Sequence, residues 1–101
     1  MAEYREVCRI DEIEDGRALG VDVNGLPIAI FRDGDSIYAL LGRCPHQSGV
    51  MADGWIEDGE AVCPVHQWRF KLTTGRCTTI RDNSLHRFPC EVRDGSVWLL
   101  A

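Results

Sequence analysis

The chain has 101 residues, a hydrophobic fraction of 45% and a formal net charge of −5, the size and balance of one soluble globular domain, residues 1–101. An acidic surplus disfavours nucleic acid, whose phosphates need clustered Lys and Arg, and no apolar run approaches the ~20 residues that cross a bilayer. Met-Ala-Glu-Tyr-Arg does not read as a signal peptide, and five cysteines, an odd number, favour metal ligation plus spare thiols over a disulfide framework; the protein is expected in the cytoplasm.

In chain order, β-prone runs lie at about 4–8, 17–23, 26–32, 36–41, 55–57, 60–63, 68–72, 86–92 and 96–100, and only Asp11 to Glu14 reads as a helical turn. Asn24-Gly25, Asp33-Gly34, Asp58-Gly59 and Asp94-Gly95 each separate two such runs, a strong hairpin signal. The fold class is therefore all-β. Between about 43 and 83 the alternation breaks at two Cys-Pro segments and a long polar stretch, as though a small subdomain were inserted into an antiparallel barrel or sandwich.

Charge is unevenly spread. Residues 1–42 carry nine acids against four bases, whereas residues 43–101 carry seven of each. Asp53, Glu57, Asp58 and Glu60 precede Cys63, and Arg69, Lys71 and Arg76 follow it, a pattern that suits either a solvated surface or a docking face.

The residues that carry chemistry are Cys44-Pro45-His46 and Cys63-Pro64-Val65-His66. A hairpin through Asp58-Gly59 brings the segment entering the 55–57 strand and the segment leaving the 60–63 strand to one end, so two thiolates and two imidazoles meet there. Each proline stiffens the chain beside its cysteine. Such a donor set holds tetrahedral zinc or a 2Fe-2S cluster with thiolates on one iron and imidazoles on the other. Zinc modules commonly pair C-x2-4-C with histidines three to five apart, which C-x-H followed by C-x2-H does not match.

On these residues the chain resembles the Rieske family, with further likeness in Trp68-Arg69-Phe70-Lys71-Leu72-Thr73-Thr74-Gly75, in Phe88-Pro89 and in Asp94-Gly95-Ser96-Val97-Trp98. The resemblance implies a Rieske-type antiparallel β fold with an inserted cluster-binding subdomain and one 2Fe-2S cluster. Cys44 and Cys63 would bind the iron that stays ferric, and His46 and His66 the reducible one. It also implies a non-enzymatic electron carrier, monomeric when free, between an NAD(P)H-linked flavoprotein reductase and a terminal oxygenase or reductase. The small subunit of NAD(P)H-dependent nitrite reductase is the alternative, and a zinc-stabilised interaction module a remote one.

Within the family, high-potential members carry a disulfide between the ligand loops and Ser and Tyr donors to sulfur. Val65, Trp68 and Phe70 stand at the matching positions here, which implies the low-potential, ferredoxin-like branch. Residues 76–86 lack the proline-rich loop of many oxygenase ferredoxins, which leans toward the nitrite-reductase type. Cys8, Cys77, Cys90 and His86 fall outside the motif and read as idle groups. Trp68 reads as a shield for the site, and Gln47, Gln67 and Arg69 as neighbours of a docking surface.

Overall fold

The computed structural model describes residues 3–43, 50–65, 67–80 and 83–101. Their strands are β1 (Tyr4–Arg9), β2 (Ala18–Val23), β3 (Leu26–Asp33), β4 (Ser36–Leu41), β5 (Trp55–Glu57), β6 (Glu60–Val62), β7 (Arg69–Lys71), β8 (Arg87–Phe88), β9 (Cys90–Arg93) and β10 (Ser96–Leu100). Short 3-10 turns cover Ile10–Glu12 and Met51–Asp53. The first falls one to two residues before the expected helical turn, and the Arg9 N–H donates to its Glu12 carboxylate at 2.6 Å.

Three of the four hairpin dipeptides sit as expected, with both residues at positive φ: Asn24-Gly25, Asp58-Gly59 and Asp94-Gly95, the I′ arrangement that matches strand twist. The fourth is shifted by one residue. Asp33 pairs with Ser36, so Gly34 and Asp35 form the turn, and only Gly34 has positive φ, at 64°. Its N–H donates to Asp15 Oδ1 at 2.8 Å, which fixes the register.

The described strands form three antiparallel sheets, ordered β1-β10-β9, β2-β3-β4-β8 and β5-β6-β7. The middle one is covered on both faces. Ile28 and Ile30 of β3 belong to a core with Val97 and Leu99 of β10, whereas Ala29 and Phe31 belong to a core with Ala61 of β6 and Phe70 of β7. Burial on both faces explains why Ile28 to Phe31 reads as an unbroken apolar run.

The expected strand at 86–92 is two strands in different sheets. Arg87 and Phe88 pair with β4, and Cys90 onward pairs with β10. Pro89, which has no N–H to give a ladder, stands at the switch while its carbonyl accepts from Leu100 at 2.9 Å. Because β4 and β8 are neighbours, the chain between them, residues 42–86, leaves the middle sheet and returns, and β5-β6-β7 lies within that excursion.

Candidate functional site

The excursion begins at Gly42, whose N–H donates to the Pro27 carbonyl at 2.9 Å. Arg43 and Val50 then form an antiparallel bridge, and the Met51 N–H donates back to Gly42 at 2.9 Å. The segment 44–49, with Cys44, His46 and Gln47, lies outside the described residues, but its two ends are thus held together.

A similar closure follows β6. The Cys63 N–H donates to the Trp68 carbonyl at 2.8 Å, pinching off a segment in which Gln67 takes φ 54°. His66 lies outside the described residues. Of the four expected ligands only Cys63 is therefore described, and its side chain is fully buried.

The two closures adjoin. Trp55 is paired with Val62, so the 3-10 turn at Met51–Asp53 precedes β5 at the sheet end where Cys63 follows β6. Met51 and Cys63 share one buried cluster, and Val65 and Trp68 pack against it. A fully buried thiol at the root of a pinched segment suits a cluster ligand, since burial keeps water from the metal-sulfur bond. Two thiolates with two imidazoles are the donor set of a 2Fe-2S site of mixed ligation. Cys63, the one of the four that is described, fits that group.

The other described cysteines divide by place. Cys8 belongs to the core on the opposite face of the middle sheet and Cys90 packs against it, so a sheet separates both from Cys63. Burial first, then the nearby Glu12 charge, push the Cys8 thiol up to about 11. Burial also raises Cys90, whose thiol donates to the Ile37 carbonyl at 3.7 Å. Cys77 shares the cluster of Cys63, and its sulfur accepts the Ile80 N–H at 3.4 Å. His86 stacks edge-on against Phe88, ring centroids 4.5 Å apart.

Trp68 is half-buried against the core that contains Cys63. Trp55 donates through Nε1 to the Glu57 carboxylate. Trp98 is stacked by the Arg93 guanidinium at 4.8 Å.

Arg69, read from the sequence as a neighbour of a docking surface, also makes internal contacts. It points along its own sheet, with Nε donating to Glu60 Oε1 at 2.7 Å and Nη2 to the Glu57 carbonyl at 3.1 Å. The acidic and basic runs flanking Cys63 are therefore partly a single internal network. The cross-strand register of the Asp58-Gly59 hairpin was the available signal, because it carries Glu57 and Glu60 onto the sheet that Arg69 joins.

The sequence profile of the Rieske [2Fe-2S] domain family matches residues 3–89. The ferredoxin component of the naphthalene 1,2-dioxygenase/salicylate 5-hydroxylase systems of Ralstonia sp. is 36% identical over 89% of this chain and 88% of its own. A Mycobacterium tuberculosis protein described as an NADH-dependent nitrite reductase small subunit has a TM-score of 0.89 at 27% identity, covering 100% of this chain and 96% of its own. The ferredoxin in a complex of reduced oxygenase and oxidized ferredoxin of carbazole 1,9a-dioxygenase has a TM-score of 0.85 at 27% identity, covering 96% and 92%.

Proposed function

Since the chain belongs to the Rieske [2Fe-2S] domain family, we propose that it is the ferredoxin of a multicomponent oxygenase, carrying single electrons from an NAD(P)H-linked flavoprotein reductase to the terminal oxygenase. The observation that carries this reading is the 36% identity, over nearly the full length of both chains, to a dioxygenase ferredoxin component. The partner chemistry is supported by the likeness to a ferredoxin found in complex with its oxygenase. No helix among the described residues is long and apolar enough to cross a membrane; the proposed carrier is cytoplasmic and monomeric between encounters.

The proposed ligands are Cys44 and Cys63 on one iron and His46 and His66 on the other. The bound cluster supplies a one-electron couple, and the protein does the rest. Buried Cys63 keeps its sulfur from water. Its backbone bond to Trp68 and the Arg43–Val50 bridge limit how far the two ligand segments move between oxidation states. Half-buried Val65 and Trp68 exclude solvent on the core side. Exposed Pro64 and Gln67 offer a partner a surface on the segment that Cys63 and Trp68 close, where the electron would leave.

A second reading, subunit of an NAD(P)H-dependent nitrite reductase, is favoured by the TM-score of 0.89 to that small-subunit structure. The absence of proline from residues 76–86 supports it too. Reconstitution separates the two. With NADH, a flavoprotein reductase and a terminal oxygenase, the purified brown protein should support substrate hydroxylation as a freely dissociating component. Stable co-purification with a sirohaem flavoprotein, without oxygenase coupling, would establish the second reading instead. The reduced protein should give the low average g value of a histidine-ligated cluster, and a colourless preparation with stoichiometric zinc would overturn both.

A further inference from the structure

Arg69, the first residue of β7, directs every hydrogen-bonding group it has toward a neighbouring segment. Its Nε donates to Glu60 Oε1 on β6 at 2.7 Å, its Nη2 to the Glu57 carbonyl on β5 at 3.1 Å, and its Nη1 lies 3.6 Å from Glu57 Oε1. One guanidinium thus spans all three strands of the sheet. The backbone is engaged as fully: the N–H donates to Thr79 Oγ1 at 2.9 Å, and the carbonyl accepts the Thr78 N–H at 2.8 Å.

What this strap encloses gives it consequence. Arg69 is the cross-strand partner of Val62, and residues 63–68, with Cys63 and His66, are the chain between that pair. Any splaying of β6 from β7 passes directly to the two ends of that segment. Through the Glu57 carbonyl the guanidinium also ties the pair to β5, in which Trp55 is paired with the buried Val62. Planar donors shared among a carboxylate and a carbonyl fix direction as well as distance. The bond from Arg69 is also the leading reason that the Glu60 carboxyl sits below its ordinary range, so the acceptor stays charged at working pH.

We propose that Arg69 is a positioning residue for the cluster: by strapping β7 to the β5–β6 hairpin it sets the spacing of Cys63 and His66, without touching the metal. The proposal rests on the reading of those two residues as ligands.

The test uses holoprotein purified anaerobically as wild type, Arg69→Met, Arg69→Lys, Glu60→Gln and the Arg69→Met/Glu60→Gln pair. Each is followed by loss of visible absorbance under an iron chelator and by paramagnetic resonance of the reduced state. Arg69→Met is expected to shorten the half-life of the absorbance on the order of tenfold, the lower end of the loss when a metal ligand's supporting contact is removed. It should also shift and broaden the resonance. Arg69→Lys should recover part of both, because an ammonium reproduces the charge but not the fork.

The pair removes one charge of each sign and leaves the net charge at the wild-type value. If charge alone were at work, the pair would return to wild-type behaviour; the strap requires it to resemble Arg69→Met. Glu60→Gln, which keeps the bond to the Glu57 carbonyl, should fall between, so the test does not depend on Arg69→Met folding. Wild-type half-life and resonance in Arg69→Met, or their return in the pair, would overturn the proposal. Full cluster retention in Cys63→Ser would instead show that the ligand reading had failed, and the strap with it.

Discussion

A Cβ on Gly54 would stand 2.1 Å from the Val62 carbonyl oxygen. Gly54 has φ −83° and ψ −164°, which any residue can adopt, so glycine is needed there for space alone. The contact presses the turn that ends the first ligand segment onto the residue before Cys63. Gly54→Ala must push β5 away from β6, and the expected loss is about 1–3 kcal/mol, the usual cost of an overpacked interior. Urea unfolding should register it together with reduced iron content after purification, and unchanged values in both would refute the contact's importance.

Cys8 supplies a stability slope in alkali. Its folded-state pKa is raised from 9.0 to about 11, so the folded chain keeps the thiol proton where the unfolded chain has lost it. That contribution is fully present below pH 9 and is lost as pH rises from 9 toward 11. Cys8→Ala should therefore be less sensitive to that pH interval than wild type in paired urea titrations, whatever other groups titrate there. Parallel curves for the two proteins would show that burial does not hold the proton.

Much of this was legible in the sequence because turn chemistry is local. Asn24-Gly25, Asp58-Gly59 and Asp94-Gly95 lie where their φ preferences put them, and the Asp58-Gly59 hairpin brings the bases of both ligand segments to one end. The misses are long-range. Whether Gly34 takes the first or second turn position depends on Asp15, 19 residues away. The strand at 86–92 divides at Pro89 because two different sheets claim its halves. The contacts of Arg69 with Glu57 and Glu60 depend on the cross-strand register of three strands, which no local signal carries.

Phe70 offers a test of how sulfur environment sets the potential. Val65, Trp68 and Phe70 stand where high-potential relatives carry a disulfide cysteine and two hydroxyl donors, so the potential should lie near the low end of the roughly −150 to +300 mV Rieske range. Phe70 is fully buried in the same core as Cys63. A hydroxyl introduced there either reaches sulfur or remains an unpaired buried donor that costs about 1–3 kcal/mol. Phe70→Tyr is expected to raise the potential by roughly 20–65 mV, equivalent to one net hydrogen bond in a one-electron couple, with stability kept. Lost stability at an unchanged potential would mean that the ring does not face the cluster sulfurs.

Gln67 offers a test of where the electron leaves. It is exposed, and its φ of 54° puts it in the left-handed region that non-glycine residues visit mainly at tight turns and functional sites. If partners dock over the ligand segments, a charge placed here acts at contact distance. Glu6 is the control, because it is exposed on β1, in a sheet that packs on the opposite face of the middle sheet from β5-β6-β7. Glu12 would serve less well, since its carboxylate caps the Arg9 N–H. With cytochrome c, a basic acceptor, Gln67→Glu should raise the second-order rate at low salt by roughly fivefold, the effect of about 1 kcal/mol between unit charges at ~4 Å in water. The gain should fade as salt screens it. Glu6→Lys alters charge by two units yet should change the rate less than twofold. Stopped-flow traces in which the Glu6 variant slows as much as Gln67→Glu accelerates, at equal cluster content, would move the exit away from the ligand segments.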